Sequence, residues 1–292
     1  MSRFRQVINL LAHFELMKGK NLYIRLCFLF VFVGCSEKLI ASNDHYPAGA
    51  REAALANSAV TINDIWAVFH NQAALAGMKN PAIGFYHERR FMMSQLSYQA
   101  ISLALPVKGG VFAACYSSFG YSLYRETNAG LAYAKRLANR FSAGIQIDYL
   151  HTYIAQEYGR SGTMTVEGGL IAEPFPNFLI GAHVFNPFRQ SVSKQDEEKI
   201  PTVFTMGCSY TFFNKVLIAV ETEKDMIHKA VFRSGVEFEL AEKFLLRTGI
   251  STQPVFYSFG LGYSFKKIMI DIALTRHQIL GYTPHFSMSY TF

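Results

Sequence analysis

The sequence predicts an all-β protein: a transmembrane antiparallel β-barrel of about 14 strands, preceded by a short, partly helical N-terminal hatch or plug. Three observations carry this prediction. Segments that alternate apolar with small or polar residues recur from residue 82 to the end. They number fourteen, an even count. Their connections alternate between tight turns and longer loops, as barrels that cross an outer membrane show.

Residues 1–42 read as an export segment. MKGKNLYIRLCFLFVFVGCSEKLIAS, Met17–Ser42, has a basic start, the apolar run Leu26–Gly34 and then small residues. That run is far shorter than the ~20 apolar residues of a membrane-spanning helix. Met17 competes with Met1 as the true start. Phe32-Val33-Gly34-Cys35 resembles a lipobox, which would acylate Cys35; ordinary cleavage near Ala41 or Ser42 competes with it and is preferred.

The whole chain carries 28 basic and 21 acidic side chains, a net charge of +7. Residues 1–42 hold six of the former and two of the latter, so 22 and 19 remain, a net +3. No basic block survives, which disfavours nucleic acid as a partner. Of four cysteines only Cys115 and Cys208 lie beyond residue 42. Cys208 shares the outward parity of Phe204, Met206, Tyr210 and Phe212. Neither a disulfide framework nor a metal site is expected, and both thiols read as inert and buried.

Residues 43–80 are Ala-rich, partly helical in composition and too short for a domain, and would sit inside or below the barrel, or serve as a periplasmic leader. The barrel then occupies 81–292. Its strands are expected near 82–91, 94–105, 109–119, 122–137, 140–153, 160–173, 177–188, 199–213, 214–225, 228–240, 243–252, 254–266, 267–277 and 282–292. Each is about as long as the ~9–11 tilted residues that cross a bilayer. Tyr257, Phe259, Leu261, Tyr263 and Phe265, for example, alternate with Ser258, Gly260, Gly262 and Ser264. In strand 2 the apolar parity changes between Tyr98 and Ile101, which calls for a bulge or for a lumen side packed by a plug. Turns after even strands are tight, and several after odd strands are longer, such as Arg189–Lys199. Both barrel termini are therefore expected at the periplasmic rim. The chain ends on HFSMSYTF, whose final strand would close the barrel by pairing with the first, because an open edge has no hydrogen-bond partner in lipid. Tyr290 and Phe292 resemble the terminal aromatic mark by which outer-membrane barrels are recognised for insertion.

Within 46–80 a family resemblance is legible in Gly49-Ala50-Arg51, Ala54, Ala59-Val60, Asp64, Ala67 and Asn71-Gln72-Ala73-Ala74-Leu75-Ala76. This is similar to the hatch of FadL-type outer-membrane barrels, including the Bacteroidetes PorV and PorQ relatives associated with type IX secretion. Gly49, Arg51, Asp64, Asn71 and Leu75 are the hatch-motif residues so implied. The chain departs from the pattern at Ala56-Asn57, where a Gly or small pair is usual, and at Gln72, where proline is usual. The resemblance implies the outer membrane of a Gram-negative bacterium.

Lumen-parity charges Asp148, Glu167, Arg233, Glu237 and Asp271, with Glu239, form the candidate polar network, and Arg51 and Asp64 are candidates to pair with lumen charges. No GxSxG, no HExxH and no spaced Ser-His-Asp set occurs, so no catalysis and no cofactor are expected. Two functions follow from the resemblance. The preferred one is a non-catalytic accessory subunit of an outer-membrane secretion or assembly complex, partnered by lipid and by other outer-membrane proteins, because the outer loops look too short to hold a ligand. The other is a FadL-like conduit for hydrophobic small molecules, leaving through a gap in the wall.

Overall fold

The computed structural model describes residues 46–155, 159–190, 200–226 and 228–292. The export segment, the Cys35 motif and Ser191–Lys199 lie outside these. Fourteen strands form one closed sheet: β1 Ala82–Arg89, β2 Ser97–Val107, β3 Gly110–Gly120, β4 Tyr124–Ala138, β5 Phe141–Ile154, β6 Gly159–Phe175, β7 Phe178–Phe185, β8 Val203–Phe212, β9 Val216–Asp225, β10 Val231–Ala241, β11 Phe244–Thr252, β12 Val255–Phe265, β13 Ile268–His277 and β14 Gly281–Thr291. Every neighbouring pair is antiparallel, and β1 closes on β14 from Ala82–Thr291 to Glu88–His285. Phe292 N–H adds a bond to the Pro81 carbonyl at 2.9 Å.

The alternation separates two solvents. Large apolar side chains cover the outside, with Leu131 71%, Phe259 61% and Phe204 59% exposed. So extensive an apolar surface would not stay dissolved in water; lipid is the medium it fits. Aromatic pairs ring the tight-turn end, including Phe112–Tyr133 at 4.8 Å, Phe175–Phe178 at 4.6 Å and Tyr290–Phe292 at 5.0 Å between ring centroids. Tyr149, Tyr257 and Tyr282 lie outward towards the other end. Tyr257 and Phe265 are eight residues apart on β12, roughly 26 Å along the strand. At the ~40° tilt of such barrels this is roughly 20 Å of membrane, close to the usual apolar band.

Strand 2 contains no bulge: its registers with β1 and β3 run unbroken. Tyr98 points inward and is buried against the hatch, so the plug accounts for the apolar residue on the lumen side. Strand β7 ends earlier than expected, because Asn186 turns to a φ of 46°. β8 starts later, because Ile200 and Thr202 fold into the lumen mouth, Thr202 Oγ1 donating to the Asn186 carbonyl at 2.7 Å. The connections after β3 and β11 are also tight, so the difference between the two rims is smaller than the sequence suggested.

The hatch threads the lumen from end to end. Tyr46 packs on Tyr98 and Phe119 at the loop end. Chain then descends through the single-turn helix α1, Ala50–Ala54, and the 3₁₀ turns Ile65–Phe69 and Gln72–Gly77, to reach β1 at the tight-turn end. The expectation of two termini at one rim therefore holds for the strands but not for Tyr46. Trp66, Phe69 and Leu75 are at most 3% exposed, each burial contributing on the order of 2 kcal/mol.

Inward glycines let the hatch approach the wall. A Cβ at Gly144 would lie 2.5 Å from Ala73 N, at Gly181 2.7 Å from Val60 O, at Gly249 2.4 Å from Ala56 N, and at Gly260 2.5 Å from Ala54 Cβ. Real Cβ atoms stay beyond 3.0 Å, so wall and hatch touch backbone to backbone on several sides. Gly168 is different: it faces outward, and its nearest neighbour would be 3.9 Å away. Gly144→Val is expected to unseat the hatch, raising bilayer conductance and proteolysis of residues 46–80. Gly168→Val should leave both at the wild-type level; equal effects from the two would contradict the packing described.

Candidate functional site

The candidate site is the lumen with its hatch. Among the described strands every Asp and Glu lies on the lumen parity. The structure does not gather the five expected network residues into one network. It places them in three clusters.

The first cluster docks α1. The Arg51 guanidinium donates to Glu237 through Nε at 2.8 Å and Nη2 at 2.7 Å, and to Asp64 through Nη1 at 3.1 Å. Arg247, fully buried on β11, donates to Glu237 and Asp271 at 2.6 Å each. Charges thus alternate from Asp64 through Arg51, Glu237 and Arg247 to Asp271. Glu52 is buried beside this chain; burial, reinforced by Asp64, pushes its carboxyl well above the usual range.

In the second cluster, Glu221 on β9 accepts the Ala59 and Val60 backbone N–H groups at 2.8 Å each. Arg233 bonds Glu221 at 3.1 Å and Glu223 at 2.8 and 2.9 Å. The partners of Arg233 are therefore on the neighbouring strand, not Glu237 and Glu239 on its own. The third cluster holds Glu167, which accepts from Gln72 Nε2 at 2.7 Å and lies 3.0 Å from His183 Nε2. Asp148 beside it accepts from Gln146 at 2.8 Å.

Hatch-motif positions have specific tasks. Gly49 adopts a φ of 110°, where a side chain would be strained and would collide with Glu52. Asn71 caps a 3₁₀ turn through Ala73 N–H, while its Nδ2 donates to Val60 O at 2.7 Å and, on the wall, Leu170 O at 3.2 Å. Leu75 is wholly buried. Both departures from the pattern have a physical reading. Ala56 and Asn57 have φ of 55° and 60°, a left-handed pair that glycine would occupy with less strain. Gln72 stands at the first position of its turn, where proline fits; glutamine instead reaches Glu167. Tyr290 and Phe292 face outward at the rim. Cys115 is buried on the lumen side, whereas Cys208 is only half-buried and faces outward, since lumen parity on β8 belongs to Gly207 and Ser209.

Arg247, Glu221 and His183 were missed as site residues, although their parity was readable: Arg247 aligns with Gly249 and Ser251, not with Leu246 and Ile250. Two of the cavities that flank the hatch lie at its opposite ends. One of about 500 Å³ opens at the loop end between Tyr46, Tyr86, Phe91, Phe256, Glu88 and Arg233. The other, about 480 Å³, lies at the tight-turn end beside Arg51, Trp66 and Arg247.

Arg51→Met should loosen the hatch by about 3 kcal/mol, since it leaves Asp64 without its cation, though still accepting the Trp66 N–H at 2.8 Å, and leaves Glu237 with Arg247; amide exchange of residues 46–80 reads this, and unchanged protection would contradict it. His70 Nε2 lies 2.8 Å from Ala48 O, and burial lowers its pKa to about 4. A lowered histidine pKa stabilises the seated hatch above pH ~6.5 and loses that contribution as pH falls towards 4, about 3 kcal/mol in all. Glu52, raised, acts oppositely, so the difference between wild type and His70→Gln isolates the effect. Acid loosening between pH 6.5 and 4 should be smaller in His70→Gln; identical profiles would count against it.

No protein-family model matches the chain, and no curated protein matches its sequence. Solved structures do. The Ralstonia pickettii toluene transporter TbuX superposes with a TM-score of 0.69 at 11% identity, over 84% of this chain and 98% of its own. The monoaromatic hydrocarbon channel CymD gives 0.64 at 13%, over 86% and 99%. A Pseudomonas aeruginosa FadL homologue gives 0.58 at 10%, over 85% and 98%. At such identities the likeness is one of fold: a closed barrel of the FadL type, the architecture of Gram-negative outer-membrane proteins.

Proposed function

We propose that the protein is a conduit for small, largely apolar molecules in the outer membrane of a Gram-negative bacterium. The observation that carries this reading is the cavity of about 500 Å³ at the loop end, floored by Tyr46 and Pro47 of the hatch. Tyr86, Phe91 and Phe256 give it an aromatic wall, while Glu88, Arg90, Glu223 and Arg233 give it an ionic one. Such a cavity suits a small aromatic body with a polar handle. The fold shared with hydrocarbon transporters supports the same reading by analogy. Because the hatch meets the wall at mid-height, passage needs the hatch to shift or the molecule to leave sideways. A sideways route has one candidate among the described strands: the β6–β7 ladder ends at Glu167–Phe185, with one further bond from Asn186 N–H to Val166 O at 3.1 Å, so Gly159–Thr165 pairs only with β5.

The closed lumen also supports a second reading, the accessory subunit of a secretion or assembly complex that the PorV and PorQ resemblance implies. One comparison separates the two. Cells expressing the chain should take up a labelled monoaromatic compound bearing one polar group several-fold faster than cells without it, and Thr283→Trp, which fills the cavity, should abolish the gain. Unchanged uptake on expression would remove the conduit. Stoichiometric recovery of a protein partner after gentle detergent extraction would then favour the subunit.

A further inference from the structure

We propose that the loop end of the outer wall binds phosphate groups of membrane lipid, centred on Arg125, Tyr153 and Arg160. Acidic side chains of the described strands all face the lumen, whereas the outward charges are Arg89, Arg125, Lys135, Arg160, Lys224 and Arg276. A rim tuned only for wetting would mix both signs. This one is purely cationic, and all of its members but Lys135 lie towards the loop end.

Register adds a built arrangement. Arg125 pairs with Tyr153, and Tyr153 with Arg160, so three adjacent strands place them in one outward row. With neighbouring strands ~4.8 Å apart, the two arginine stems stand roughly 10 Å from each other and flank the phenol. The Arg160 guanidinium lies 5.3 Å from the Tyr153 ring centroid, which limits its freedom. A phosphate seated there accepts paired N–H bonds from guanidinium, the geometry arginine serves best. The arrangement recurs across the barrel, where Arg276 lies 5.9 Å from the Tyr282 ring and Arg89 projects from the next strand but one.

The surroundings select the occupant. On the same face, nearer the membrane centre, come Tyr149, Ile147 and Met164, the last 66% exposed. The matching ligand is anionic at the rim and hydrocarbon below it, which describes a phosphorylated lipid and excludes nucleic acid or an acidic peptide. The inference rests on the wall spanning a membrane, not on the conduit.

Its test uses the purified chain in neutral detergent with bisphosphorylated lipid A as probe, against the same lipid stripped of phosphate. Native mass spectrometry reads the bound lipid, and the shift in gel mobility on boiling confirms that each variant is a folded barrel. The phosphorylated lipid should bind in a salt-sensitive manner. Arg125→Gln with Arg160→Gln should weaken it roughly thirtyfold, at ~1 kcal/mol for each cation near a charged membrane surface, while Lys135→Gln leaves it unchanged. Equal binding of the two lipids, or unaltered binding by the folded double variant, would overturn the proposal. Displacement by millimolar inorganic phosphate would assign the row to the free anion and also overturn it. A chain without boiling-dependent mobility would instead remove the membrane-spanning reading itself.

Discussion

Lipid offers no hydrogen bonds, so every backbone N–H and C=O of the wall must find its partner within the wall. The pairing of β1 with β14 follows from this constraint, and so does most of what the molecule contains. A sheet of fourteen strands that closes on itself encloses more space than its inward side chains can fill. That space must be bridged by water or by protein. Here thirty-odd residues of the same chain run through it, packing the wall at mid-height, with cavities towards either end.

Two kinds of contact hold the hatch, and they do different work. Glycine in the wall permits close backbone approach and dispersion contact, which a single methyl would break. The ion pairs contribute less net energy than their number suggests, since burying Arg51, Arg247 and their carboxylates costs desolvation comparable to the attraction gained. Their consequence is positional: only one placement of α1 gives Arg51 both Glu237 and Asp64, and only one placement of Ala59-Val60 gives Glu221 two N–H donors. Shape holds the hatch in; charge selects its register.

The barrel was largely legible in the sequence because lipid on one side and a polar lumen on the other impose the same period of two on every strand. The exception at Tyr98 was legible too, once a plug was allowed. The hatch was less so. Its Ala-rich composition suggested helix, yet only α1 forms a single α turn, because the path is dictated by the wall's glycines and not by local propensity. Partner choice in the lumen was least legible. Parity says that Arg233 and Glu237 face inward, but the stagger between strands decides that Arg233 meets Glu221 and Glu223, and no single-strand pattern encodes that stagger. Function was less legible still: loop lengths pointed to an accessory subunit, whereas the conduit we propose rests on the cavity under the loop rim, which no strand pattern reveals.

Trp66 is the sole tryptophan of the chain, and it sits in the hatch at 2% exposure, so intrinsic fluorescence reports directly on whether the lumen is filled as described. For the protein reconstituted in vesicles, a blue-shifted Trp66 emission, resistant to aqueous acrylamide and little affected by brominated lipid, is the expected result. Red-shifted emission fully quenched by acrylamide would place residues 46–80 outside the barrel and contradict the account.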